Sequence, residues 1–302
     1  MDWRCKALLH TAFSHLPFGP AVHYAFQRYV TKSLPSSDEY FLSEYRVARQ
    51  HVAAYELYAS RPVTDATFYE FGAGFDLMIP LLFYALGVDR QFLVDIRPLV
   101  KPALVNDVIG KFRRHHGSMD LRRIPEQAID PRSDYLSAIR ETYGIDYRAP
   151  QDARRTNLSD GCVGCVTSTN TLEHIAPDDI RQILRECHRV LRPGGVVSFR
   201  IDFQDHYSYF DRRISAYNFL RYSDRSWRLY NPPLHYQNRL RHRDHVEMLR
   251  SAGFTIREDH PGTGGADDVR RLRELTLDAR FQGYTVEELA VTNAHLVATK
   301  DS

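Results

Sequence analysis

A carboxylate, two glycines and a second carboxylate stand close together in Glu70-Phe71-Gly72-Ala73-Gly74-Phe75-Asp76, directly after the apolar pair Phe68-Tyr69. A turn that leaves a strand for a helix needs dihedrals that glycine adopts freely, and it must let backbone amides approach a ligand. About 20 residues further on, Phe92-Leu93-Val94-Asp95-Ile96 carries a single carboxylate in an apolar run. At the carboxyl end of the next parallel strand, Asp95 can accept both hydroxyl protons of a ribose. The pairing suits an adenosine-bearing ligand. The dinucleotide pattern G-x-G-x-x-G is broken, because no glycine follows Gly74 at the required spacing. Asp76 either holds an ammonium group or caps the following helix.

Other groups could move a proton. In Asp202-Phe203-Gln204-Asp205-His206-Tyr207, His206 oriented by Asp202 or Asp205 suits removal of a hydroxyl proton, since a base works best with a pKa near the operating pH. His174, in Ser168-Thr169-Asn170-Thr171-Leu172-Glu173-His174-Ile175, is either a further base or part of the support. Glu173, His174, Asp202, Asp205 and His206 also offer oxygen and nitrogen ligands. No tight ligand spacing demands an ion, however, and no metal is assigned. Cys162-Val163-Gly164-Cys165 lies in an apolar run without a second ligand pair and reads as packing. From Tyr207 to His242, aromatics alternate with Asn, Gln and Arg. Tyr207, Tyr236, Asn238, Arg239 and Arg241 are candidate contacts to a polyhydroxylated or anionic acceptor, though aromatics of this sort also build cores.

The elements that must position these groups alternate strand and helix, which implies parallel pairing through crossovers. Strands are predicted at 67–71, 91–96, 145–149, 163–168 and 196–202. The clearest helix carries Ile180, Ile183, Leu184, Cys187, Val190 and Leu191 at helical spacing, starts near Pro177 and stops at Arg192-Pro193-Gly194-Gly195. A helix at 245–252 and strands at 254–258 and 295–299 follow. Ahead of the glycine turn, Ser36-Ser37-Asp38-Glu39 opens a helix running to about Tyr58. The aromatic and basic stretch 3–30 also reads as helical, either a packed lid or a segment lying on a membrane surface.

Two of these segments resemble the class I S-adenosylmethionine-dependent methyltransferase family. Glu70, Gly72 and Gly74 match its first motif, and Val190-Leu191-Arg192-Pro193-Gly194-Gly195 is similar to the helix end and turn before its fifth strand. The resemblance implies an α/β, Rossmann-like, seven-stranded and mostly parallel sheet with helices on both faces, its last two strands including one antiparallel. A helical N-terminal extension (1–65) would precede a methyltransferase domain (66–302) carrying a cap insertion at about 204–243. It implies S-adenosyl-L-methionine as cofactor, held by Glu70, Gly72, Ala73, Gly74, Asp76 and Asp95. Asp152 and Ala153 would take the adenine, and Asn170 and Thr171 would line the cleft. Likeness to methyltransferase-domain proteins of bacterial surface-glycan assembly implies O-methylation of a sugar. An N-methyltransferase, a small-metabolite methyltransferase and a non-catalytic binding module are the alternatives.

Composition sets bounds on all of this. The chain has 302 residues, 43% of them hydrophobic, and a formal net charge of +2. That balance gives no argument for a nucleic-acid partner. No run approaches the length of a membrane span and no signal-peptide pattern opens the chain, so a cytoplasmic location, with or without peripheral membrane contact, is expected. Four cysteines are too few and scattered for a disulfide framework.

Overall fold

The computed structural model describes residues 2–14, 16, 18–30, 33–59 and 61–301, without the side chains of 19, 20 and 23. Three helical stretches come first: α1 (Trp3–Ser14), α2 (Gly19–Ala25) running into a π turn (Phe26–Val30), and α3 (Asp38–Ala59). The alternating part follows as β1 (Thr67–Phe71), α4 (Met78–Leu86), β2 (Arg90–Val94), α5 (Pro102–His115), α6 (Tyr135–Tyr143) and β3 (Ile145–Arg148). Its second half is β4 (Val163–Thr169), α7 (Pro177–Val190), β5 (Leu191–Asp202), the short α8 (Asp224–Trp227), α9 (His242–Ser251) and β6 (Phe254–Thr263). Two small helices, α10 (Ala266–Arg273) and α11 (Val286–Ala290), lead into β7 (Val291–Lys300).

The seven strands lie in the order β3-β2-β1-β4-β5-β7-β6. Strands β1 to β5 pair in parallel, and β7 runs antiparallel between β5 and β6. The sheet is therefore the one expected. Strand order reverses between β1 and β4, the switch point outside whose carboxyl ends ligands of open α/β sheets bind. Alternate residues face opposite sides. Phe68, Leu93 and Cys165 point into a core closed by α3, α4, α5 and α6, whereas Tyr69, Val94 and Val166 point into a second core under α7 and α9.

Three boundaries differ from the sequence reading, each for a local reason. β2 stops at Val94, so Asp95 sits just past the strand end, where its carboxylate can face the cleft. α7 ends at Val190, and β5 begins at Leu191 instead of 196. The pairing jumps from Val163↔Leu191 to Cys165↔Val196, so Arg192 to Gly195 loop out of register, with Gly194 at φ +68°. β6 and β7 are each ten residues long, because the antiparallel pair continues past the segments that apolar alternation picks out.

The N-terminal helices are built into the molecule. α3 puts Phe41, Tyr45, Ala48, Val52 and Tyr55 into the first core. Its His51 is buried and binds Ser198 Oγ (2.7 Å) on β5, and Ser198 Oγ is 2.8 Å from His295 Nε2 on β7. At the end of α5, Arg114 and His115 both bind the Asp38 carboxylate at 2.8 Å, which ties α5 to this helix. α1 packs elsewhere. Trp3 lies with its ring centroid 4.8 Å from Tyr230 and 5.4 Å from Tyr207, in a third core with Tyr217, Phe219, Trp227, Leu272, Phe281 and Leu289. The insertion is thus a small packed unit roofed by α1.

Candidate functional site

The glycine turn leaves β1 with Gly72 at φ +82° and Gly74 at φ +71°. A Cβ on Gly72 would meet Thr171 Cγ2 at 2.3 Å, so only glycine lets the β1 and β4 ends approach this closely. A Cβ on Gly74 would meet nothing within 4 Å, because that glycine borders open space. Two cavities flank the turn. One, of about 490 Å³, runs over the β2 end past Asp95, Ile96, Asp152, Ala153 and His174. The other, of about 500 Å³, lies toward α3, bordered by Ser33, Ser36, Ser37, Tyr40, Glu44, Glu70, Ala73 and Asp76. Both cavities are bordered by Gly72, Gly74, Asn170 and Thr171.

The first cavity has the features an adenosine requires. Asp95 is nearly buried and receives a hydrogen bond from the Arg97 amide at 3.1 Å, and burial lifts its pKa. Asp152 is already paired with Arg154 at 2.6 Å, which also reaches Asp179 at 2.6 Å. That hydrogen bond from Arg154 holds the Asp152 carboxyl below its usual range, so it stands as an anion beside the cavity with acceptor capacity to spare. Ile96, Leu99, Ile175 and Ile183 supply apolar walls for a purine ring.

Carboxylates dominate the second cavity. Glu70 is 3% exposed, and Thr167 Oγ1 donates to it at 3.2 Å. Burial, reinforced by the nearby Glu44 charge, pushes Glu70 up to about 8. Glu44, 6% exposed, is raised by burial to about 7 against the opposing influence of Tyr40 and Arg200. Asp76 Oδ1 accepts from the Met78 amide at 3.1 Å, so it caps the start of α4 while bordering the cavity. Both roles left open for it in the sequence are compatible with this position. Two buried acids, Glu44 and Glu70, with the half-buried Asp76 around one space favour a ligand that brings positive charge.

Asn170, at φ +49°, and Thr171 turn the chain out of β4; the Asn170 amide donates to Arg200 O at 2.9 Å. The loop after them is held by the insertion. Asn238 Nδ2 donates to Leu172 O (2.7 Å) and Ile175 O (2.8 Å), and the Asn238 amide donates to Glu173 O at 2.7 Å. His174 Nδ1 lies 2.8 Å from Tyr236 O. Burial and the neighbouring His206 lower the pKa of His174 to about 4.

Several predicted contacts are corrected by this packing. Arg241 is fully buried and donates to Phe203 O, Leu289 O and Val291 O at 2.5 to 2.9 Å. Arg239 is 3% exposed and binds Phe219 O and Tyr222 O and the Asp224 carboxylate. Both guanidiniums are buried and tie the insertion to itself and to β7, out of reach of an acceptor in either cavity. Tyr207 is buried in the third core with its hydroxyl on Tyr230 O at 2.6 Å. Asp205 is buried too, receiving Tyr207 N and Asn218 Nδ2 at 2.9 Å each, so it cannot orient His206. The carboxylate beside His206 is Asp202, at 3.3 Å. Neither His206 nor the corrected residues border the two cavities.

Tyr40 and Glu44 were missed by sequence reasoning. The available signal was a carboxylate on the same helical face as Phe41, Tyr45 and Ala48, a position where an unpaired acid is costly unless it serves a ligand.

The strand order, the switch-point cleft and the open glycine turn define an α/β fold whose cleft suits an adenosine-bearing ligand. Residues 126–199, from the approach to α6 into β5, match the family model described as "Methyltransferase domain". Over that stretch the chain is similar to a methyltransferase domain. Among solved structures it is similar to geranyl diphosphate methyltransferase in complex with GPP and sinefungin (10% identity, 84% of this chain and 78% of that one, TM-score 0.47). It is also similar to an S-adenosylmethionine-dependent methyltransferase of Mesorhizobium loti (13%, 81% and 97%, TM-score 0.42) and to the [4+2]-cyclase SpnF (14%, 83% and 81%, TM-score 0.44). No curated protein matches the sequence. Among the described residues, no helix is long and apolar enough to cross a membrane.

Proposed function

We propose that the enzyme O-methylates a small polyhydroxylated acceptor, such as a sugar, bound in the cavity between the glycine turn and α3. The observation that carries this reading is that second cavity. It borders Gly72, Gly74, Asn170 and Thr171 in common with the adenosine cavity, and Ser33, Ser36, Ser37 and Tyr40 give it a hydroxyl-rich wall. When bound, the cofactor supplies an electrophilic methyl group. Asp95 takes the ribose hydroxyls, Asp152 and the Ala153 amide the adenine, and Glu70 with Asp76 the ammonium group.

The acceptor's proton goes to Glu44. A carboxylate held near 7 by burial is matched to proton removal at neutral pH, and Glu44 borders the cavity, which His206 does not. Glu44→Gln is therefore expected to lower turnover of a hydroxyl acceptor by about 10²-fold or more while cofactor affinity stays within about twofold. The assay is release of S-adenosylhomocysteine across a panel of polyols, sugars and amines. A Glu44→Gln enzyme with wild-type turnover on its hydroxyl acceptor removes Glu44 from the mechanism. A second reading, methylation of an amine, is favoured by the three acids Glu44, Glu70 and Asp76 around the cavity. Turnover confined to the amines of the panel would select it.

We also propose that the N-terminal helices meet a membrane surface. Leu8, Leu16, Phe18, Tyr29 and Val30 are exposed there, more apolar surface than a free helix face needs. Co-sedimentation with anionic vesicles, lost in Leu8→Ser/Phe18→Ser, is the expected result; no sedimentation of the wild type overturns it.

A further inference from the structure

We infer that Glu173, His174 and His206 form a binding site for one divalent transition-metal ion at the seam between the β4 and β5 ends. Sequence spacing gave no reason to assign a metal, because the ligands come from two loops brought together only by the sheet.

One ligand atom from each of the three residues lies within 4.8 Å of the others. Three donors on one tetrahedral ion at bond lengths near 2.1 Å are about 3.4 Å apart, so side-chain shifts of about an ångström would close the shell. The orphaned groups point to a missing cation. Glu173 is 2% exposed and neither carboxylate oxygen has a hydrogen-bond partner. Burial holds Glu173 to its proton, and only a positive partner would let it ionise there. His206 Nε2 is likewise buried without a hydrogen bond, with Asp202 Oδ2 3.3 Å away.

His174 is prepared in the way metal-bound imidazoles are. Its Nδ1 donates to Tyr236 O at 2.8 Å, which fixes the ring and leaves the lone pair on Nε2. Asn238 holds the same loop from Leu172 to Ile175. Two imidazoles and one carboxylate suit zinc, cobalt or iron over magnesium or calcium, and three protein ligands leave a position open to water or an acceptor oxygen. The site is adjacent to the cofactor, since His174 borders the adenosine cavity. It goes beyond the methyl-transfer reading and stands whether the acceptor is an alcohol or an amine.

The probe is Co²⁺, added to full-length protein stripped with chelator, with Zn²⁺ as competitor. Expected are uptake of one Co²⁺ per chain with a visible d–d spectrum, displacement by Zn²⁺, and more than about 100-fold weaker uptake in Glu173→Gln and His206→Ala. Calorimetry with S-adenosylmethionine shows whether each variant is folded. Wild-type protein that takes up no Co²⁺, or folded variants that take it up unchanged, overturns the inference. Should both variants misfold, X-ray absorption of the wild-type cobalt protein decides. A shell of two imidazoles and oxygen supports the site, and a sulfur shell, from the exposed Cys5 or Cys162, overturns it.

Discussion

Cofactor affinity should rise steeply with pH in a window where most proteins barely respond, and Glu70 is the reason. In the free enzyme its carboxyl is buried, receives a single hydrogen bond from Thr167 and stays protonated up to about 8. The cofactor's ammonium calls for the anion, so binding must strip that proton. Below the pKa the ionised fraction grows with pH, from about 0.3% at pH 5.5 to about 9% at pH 7.0, so affinity gains about 30-fold, or about 2 kcal/mol. The ammonium stays protonated across this window, with an ordinary α-amino pKa of about 7.7 to 8.0. The same shift acts on stability with the opposite sign. A folded-state pKa raised above the ordinary 4.5 contributes stability that is fully present below 4.5 and lost as pH rises toward 8. The cofactor-free enzyme should therefore lose about 2 kcal/mol between pH 5.5 and 7.0 through this one group. Calorimetry in two buffers of different ionisation enthalpy measures both affinity and proton release. Glu70→Gln should bind weakly with a flat profile. A change under about threefold in the wild type, or an equal slope in Glu70→Gln, would refute the reasoning.

Two further outcomes follow from the packing of the site. Gly72→Ala combines a left-handed backbone with a Cβ 2.3 Å from Thr171 Cγ2 and should cost about 1–3 kcal/mol and most cofactor binding; a wild-type melting temperature and affinity would count against the closeness of the turn. Asn238→Ala removes the donor shared by Leu172 O and Ile175 O, so it should raise KM for the cofactor, through a looser loop, more than KM for the acceptor; the reverse pattern would restore Asn238 as an acceptor contact.

The parallel half of the sheet was most legible where a strand is short, largely apolar and followed at once by a turn signal. Thr67–Phe71 was read to the residue, and its two glycines announced the cleft by their chemistry alone. Legibility failed where a residue's meaning depends on what covers it. Arg239 and Arg241 carry the donors of an acceptor site, yet each ends on backbone carbonyls that exist only once the insertion has folded against β7. Aromatic spacing in the insertion could not distinguish a stacking platform from a core, and the deciding partner, Trp3, lies more than two hundred positions away in sequence. Asp205, next to His206, and Asp202, four residues before it, are both candidates on paper. Only the turn at Tyr207, which buries one and leaves the other beside His206, separates them.

That division bears on how an acceptor is chosen. Elements of the sheet hold every group proposed for the cofactor, and their types follow from what a nucleoside needs. The cavity proposed for the acceptor is different, since its wall comes largely from the segment before β1: Ser33, Ser36, Ser37, Tyr40 and Glu44. The insertion, expected to cap the acceptor, instead braces the loop after β4 through Tyr236 and Asn238. Substitutions along the exposed edge of α3 should therefore change which acceptor is methylated, whereas substitutions in the insertion should change how well the cofactor is held. α3 can carry that variation because its opposite face is anchored by His51, Tyr55 and the first core, so the acceptor wall can change without loosening the sheet.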